Sequence, residues 1–162
     1  MTKKLFIRCI LPSLLWFCSP IHAAETLHQK LEVKLQPQAE SLQVSVQLTL
    51  PKNLSPEFLL HRGLNPISQT PGVRIEETEQ IDGPVPLTAY RVDLPEGIDR
   101  FTLTYGGRIS HPLTRLKESP GLSRERLAGT ISSQGIHLDA TTGWYPQFPG
   151  SMQRFVLEAD LP

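Results

Sequence analysis

Of the five histidines in this chain, the four beyond residue 24 could serve metal or acid–base chemistry, and their surroundings do not support it. His28, His61, His111 and His137 are followed by Gln, Arg, Pro and Leu. None therefore opens the His-Glu-x-x-His pattern, which sets two zinc-binding imidazoles and a glutamate base on one helical face. His137 and Asp139 stand two apart, which on a strand gives a metal two donors from one face. Such spacing also arises by chance, and a structural or surface role is the plainer reading. A serine nucleophile elbow needs Gly-x-Ser-x-Gly, and Ile131-Ser132-Ser133-Gln134-Gly135 supplies only the second glycine. Ser132 and Ser133 read as loop hydroxyls that satisfy backbone groups. Gly106-Gly107 runs into Arg108-Ile109-Ser110-His111-Pro112 rather than into a helix start, so it does not make a phosphate cradle. Most of the sixteen acidic residues alternate outward on strand-like segments, which is a solvated face rather than a glycosidase carboxylate pair. No residue is assigned a catalytic, cofactor-binding or metal-binding role.

One stretch concentrates aromatic and turn residues: Gly129 to Gly150 carries Trp144, Tyr145, Pro146 and Phe148. These four form a candidate contact site or structural corner. Exposed, they would make an aromatic platform for a peptide or sugar. Buried, they would close an open edge of the core, and this reading is favoured because tryptophan is costly to leave in water. A Trp144 plug would cost about 3–5 kcal/mol on truncation to alanine.

The elements that must position this corner are strands. Leu31, Val33 and Leu35 alternate with polar residues, and after a loose Pro37 connection Leu42, Val44, Val46, Leu48 and Leu50 do the same. Phe58-Leu59-Leu60 reads as a short strand buried on both faces, and Val73 to Glu76 as another. The segment Ile81 to Pro86 reads as a connection. Tyr90, Val92 and Leu94, then Phe101, Leu103 and Tyr105, read as two antiparallel neighbours, with Gly106-Gly107 marking a bulge or close backbone approach. His111 to Ala128 breaks the pattern and reads as an excursion. Phe155, Leu157, Ala159 and Leu161 alternate in a last strand. About eight short strands with frequent turns and no sustained helical period predict an all-β domain, an antiparallel sandwich or saddle-like pair of twisted sheets.

Ahead of that domain, residues 1–24 read as a signal helix. Lys3, Lys4 and Arg8 precede an apolar run from Cys9 to Phe17, and small residues near Ala23 and Ala24 suit cleavage. Pro12 interrupts the run, which falls short of the roughly 20 residues of a membrane span, so no stable anchor is expected after cleavage. Trp16 and Phe17 are too bulky for a lipid-attachment box at Cys18. The domain is then 25–162, exported to a periplasmic or extracellular space. It has no thiol, because both cysteines lie in the leader. Removal of three basic residues leaves thirteen against sixteen acidic ones, a net charge of −3. That balance argues against nucleic acid as a partner.

Taken in order, the opening strand pair Leu31 to Leu50, Phe58-Leu59-Leu60-His61-Arg62-Gly63-Leu64, Phe101-Thr102-Leu103-Thr104-Tyr105-Gly106-Gly107-Arg108-Ile109, and Trp144-Tyr145-Pro146 followed by a strand ending in Leu161-Pro162 resemble the N-terminal domain of the aminopeptidase N-type (gluzincin) zinc metallopeptidases. The resemblance spans nearly all of 25–162. It implies a saddle-like β domain that packs on a thermolysin-like catalytic domain and helps wall the substrate cavity. Zinc, the general-base glutamate and the exopeptidase motif belong to that following domain. The implied partners are a peptidase catalytic domain and its peptide substrate, with no cofactor in this chain and no hydrolysis by it alone. A chain stopping at a strand end suits a truncated or split product, in which case an apolar patch should be exposed. A stand-alone periplasmic peptide- or glycan-binding module is the alternative. A third reading is a strand-donating sandwich, which requires an open edge strand.

Overall fold

A computed structural model of the chain describes residues 26–52, 54, 56–111, 114–115, 125–126 and 129–161. The expected signal helix (1–24) and most of the excursion between His111 and Ala128 lie outside the described residues. In chain order the strands are β1 (Leu27–Gln36), β2 (Ser41–Thr49), β3 (Glu57–His61), β4 (Ile67–Ser68), β5 (Arg74–Ile81), β6 (Leu87–Asp93), β7 (Arg100–Arg108), β8 (Thr114–Arg115), β9 (Glu125–Arg126), β10 (Thr130–Ser132), β11 (Gly135–His137) and β12 (Gln153–Asp160). Single 3-10 turns at Pro37–Ala39 and Ala140–Thr142 are the helical elements among the described residues. The fold is all-β.

One sheet has five strands in the order β12-β1-β2-β7-β4, and a second has three in the order β3-β6-β5. Pairing is antiparallel except between β1 and β12, which run parallel with Leu31 beside Leu157. The alternation in β1, β2 and β7 puts Leu31, Val33, Leu42, Val44, Val46, Leu48, Phe101 and Leu103 on one side, all buried. They meet Phe58, Leu60, Tyr90 and Val92 of the second sheet in a single core. The opposite side of the five-stranded sheet carries Glu32, Lys34, Gln43, Thr104 and Glu158, with exposed Ile67, around an open concavity. It is a solvated face.

Three expectations need correction. The segments Leu87–Asp93 and Arg100–Arg108 are not neighbours: β6 pairs with β3 and β5, while β7 pairs with β2 and β4. The chain turns at Pro95, whose carbonyl accepts from the Ile98 amide, and the Asp99 carbonyl then accepts from the Leu50 amide, which carries it into the other layer. Alternation marks a strand's faces, but not its partner. β5 extends through Ile81 and consumes part of the expected connection; as an edge strand with mostly exposed residues it lacks the apolar alternation that would have announced it. Leu59 is half-buried rather than enclosed, because β3 alternates with Phe58 and Leu60 inward.

Gly106-Gly107 is a close approach. β7 continues through both glycines, and a Cβ on Gly107 would stand 1.9 Å from the Gly63 carbonyl oxygen. Only hydrogen fits there.

Candidate functional site: an aromatic corner and a histidine pair

The corner is built from a cap outward. Asp139 accepts at Oδ1 from the Thr142 amide (3.1 Å) and from the Thr141 hydroxyl (2.7 Å), while the Asp139 amide donates to Thr142 Oγ1 (3.3 Å). This is a reciprocal capping box on one 3-10 turn. The Thr141 hydroxyl is the main reason the Asp139 carboxyl lies below its ordinary range. Its charge is thus committed to holding a turn, and His137 sits at the end of β11. Gly143 ends the turn in the left-handed region (φ 66°), and a Cβ there would come within 2.5 Å of Leu87.

From Gly143 the chain runs along the free edge of β3. The His61 amide donates to the Gly143 carbonyl (2.7 Å), and Leu59 and Gln147 exchange amide-to-carbonyl bonds of 2.8 and 3.0 Å. The corner therefore closes a sheet edge through its backbone. Gln29 Nε2 donates to the Pro146 carbonyl (2.8 Å) and to Gln153 Oε1 (2.7 Å), tying the corner to β1 and β12.

The four corner side chains divide by depth. Phe148 is buried beside Phe58, with ring centroids 5.6 Å apart, and Phe58 stacks on Tyr90 at 5.5 Å. Pro146 is buried as well. Trp144 and Tyr145 are half-buried, edge to face at 5.0 Å, and Tyr145 lies 5.8 Å from Phe155 on β12. The largest ring of the corner thus lies at its rim. Ser132 makes a local turn, donating to the Gly135 carbonyl (3.1 Å) and accepting from the Gln134 amide (3.3 Å).

Sequence reasoning missed a second feature next to the corner. His61 ends β3, is 5% exposed, and its Nε2 lies 2.8 Å from His111 Nε2. Gly63 N–H donates to His61 Nδ1 (3.0 Å). With Nδ1 accepting, the ring proton of neutral His61 sits on Nε2 and is donated to His111, whose own proton is left on Nδ1. Burial, then the neighbouring His111, then Arg62 push the His61 imidazole down to about 4, and burial lowers His111 too. The partners are 50 residues apart, so no local pattern signals the pair.

A zinc ion does not fit these residues. Among the described residues no three His, Cys, Asp or Glu side chains converge. The two paired imidazole nitrogens are satisfied by each other, and they are closer than the roughly 3.3 Å that two tetrahedral zinc ligands would keep at bond lengths of about 2 Å. The corner supplies shape, aromatic area and backbone closure.

No family model and no curated protein matches the chain. Among solved structures, it is similar to an M1 zinc metallopeptidase from Deinococcus radiodurans, at 17% identity and a TM-score of 0.41, covering 84% of this chain and 33% of that one. A mutant of that enzyme bound to a Tyr-Ser-Ala substrate gives 17% identity, a TM-score of 0.40, and coverage of 83% and 32%. A mutant two-domain M1 zinc metallopeptidase bound to L-arginine gives 17%, 0.37, 84% and 33%. The chain spans about a third of the length of the metallopeptidase structures it matches.

Proposed function

We propose that this chain is a non-catalytic, exported β domain of an aminopeptidase-like metallopeptidase, which scaffolds a zinc-bearing catalytic domain and forms one wall of its substrate cavity. The observation that carries the reading is an uncovered apolar stripe. β12 stands in register with the buried side of β1, yet Phe155 and Leu157 on that side are 51% and 46% exposed, and Leu161 beyond them is 64% exposed. Covering such a side chain contributes about 1.5–3 kcal/mol, so a stripe of this kind calls for a further layer. The order of motifs along the sequence supplies the identity of that layer, and the basic, apolar and small-residue segments of 1–24 support export. The zinc and the water-activating glutamate are assigned to the catalytic domain.

The test has two readouts. The purified protein, given zinc and fluorogenic aminoacyl substrates, should show no chelator-sensitive turnover, and it should bind an apolar dye that a Leu157→Ser variant binds less. Turnover abolished by a chelator would overturn the reading. A second reading rests on the half-exposed Trp144 and Tyr145 beside Phe155, which would serve a stand-alone peptide- or glycan-binding module. Saturable quenching of Trp144 fluorescence by short peptides, lost in Tyr145→Ala, would favour it.

A further inference from the structure

β12 is the outermost strand of its sheet, hydrogen-bonded to β1 on one side and to no other described strand on the other. Its residues are exposed on both faces, with Val156 at 58%. Natural edge strands usually carry a proline, an inward charge or a bulge that prevents further pairing. β12 has none through Arg154-Phe155-Val156-Leu157-Glu158, where the apolar face is bare and the charges are of opposite sign at the two ends.

That five-residue run is complementary to itself when reversed. We infer that β12 pairs antiparallel with β12 of a second copy about a two-fold axis through Val156, joining two five-stranded sheets edge to edge. Directly opposite residues in an antiparallel pair share a face. Keeping both apolar faces on one side therefore requires an axis that passes through a residue. Centred on Val156, Phe155 faces Leu157 twice, Val156 faces itself, and Arg154 faces Glu158 twice. Centred on Phe155, Arg154 would face Val156 and leave both charges unmatched. Centred on Leu157, Arg154 would gain Asp160, but Val156 would face Glu158. The first register alone makes every opposed pair from 154 to 158 apolar or oppositely charged, and such pairs set strand register.

Local charges agree with it. Arg154 has no ion pair among the described residues and stands beside exposed His28 of β1, whereas Glu158 stands beside Glu32, the two carboxylates sharing Lys30 at 3.6 and 3.2 Å. An arginine from a second copy would relieve that acidic pair. The pairing uses the backbone edge and leaves the Phe155 and Leu157 face open above the sheet, so it goes beyond the proposed function and is independent of it.

The interface is small, so association should be weak, with Kd in the micromolar range or above. Sedimentation velocity of the protein purified from cells expressing the full chain, from about 5 to about 500 µM, should show a monomer–dimer equilibrium. Arg154→Glu or Glu158→Arg alone sets like charges opposite each other twice and should weaken the dimer about tenfold or more. Mixed together, these two single variants should form a heterodimer at least as tight as the wild-type dimer, and the double swap in one chain should restore self-association. The two positions are about 13 Å apart along their own strand, so a merely local disturbance could not be rescued in this way. Circular dichroism and urea midpoints confirm that the variants fold. A monomer throughout that range, or a dimer indifferent to either single change, would overturn the pairing, as would failure of the mixed variants to associate.

Discussion

β2 and β12 belong to the same sheet and carry the same alternation, yet they end in opposite surroundings. In β2, between β1 and β7, Leu42, Val44, Val46 and Leu48 are at most 3% exposed. In β12, at the sheet's end, Phe155 and Leu157 face the same side and remain half in water. The difference lies in what stands above them: the three-stranded sheet and the aromatic corner cover β2 and β1, and the corner's outermost contact is Tyr145 against Phe155. A period of two thus fixes which way a side chain points, while burial is decided by a layer contributed from elsewhere in the chain.

The covered region should be sensitive and the bare edge tolerant. The largest effect is expected at Phe148, fully enclosed beside Phe58. Phe148→Ala should lower stability by about 3–5 kcal/mol through lost burial and the cavity left behind, seen as a shift in the urea midpoint. A loss under about 1 kcal/mol would mean that the two layers are not held together at this corner.

Acid should also attack the covered region first. His61 is neutral in the fold, held down to about 4 against an ordinary value of 6.5 by burial, by His111 and by Arg62. The unfolded chain takes up the proton first, so this contribution is fully present above about pH 6.5 and is lost as pH falls toward 4. At most about 3 kcal/mol disappears across that window for His61, and His111, lowered by burial, acts in the same direction. Urea unfolding at stepped pH measures the slope. A His61→Gln variant should flatten it, and an unchanged slope would remove the histidine pair from the account of what holds β3 to the segment that follows β7.

At the rim between the two regions, Trp144 is only half-buried. Trp144→Ala should then cost about 1–2 kcal/mol, less than the 3–5 kcal/mol of an enclosed plug. A full plug-sized loss would place the rim with the core.

How far the sequence reveals this molecule varies along it for physical reasons. Strand identity was legible in β1, β2 and β7, where apolar residues alternate against one covered face. β5 was mostly hidden because Glu76, Glu77 and Glu79 are solvated and little of it packs inward. Which strands pair was not legible: β6 and β7 are adjacent in sequence and lie in different sheets. The corner was legible by composition, but the division of labour within it was not, because Gly143 and Gln147 close the β3 edge through backbone bonds that no side-chain pattern records. His61 and His111 likewise meet across 50 residues, beyond the reach of any local pattern.

The smallest effect tests the edge itself. Leu157 lies on the core-facing side of β12 but gains little from it at 46% exposure. Leu157→Ser should therefore change stability by no more than about 0.5–1 kcal/mol while reducing the apolar area open to a dye. The same substitution at Leu103, in the same cross-strand row through Leu31 and Val46 but fully buried, should be disabling because it sets a hydroxyl in the core without a partner. If Leu157→Ser were as damaging as Leu103→Ser, β12 would already be covered in solution, and the contrast between the sheet's interior and its β12 edge would be that of a filled interface rather than an open one. A tolerant Leu157 together with weakened dye binding would instead leave Phe155, Leu157 and Leu161 as the surface on which a further layer can settle.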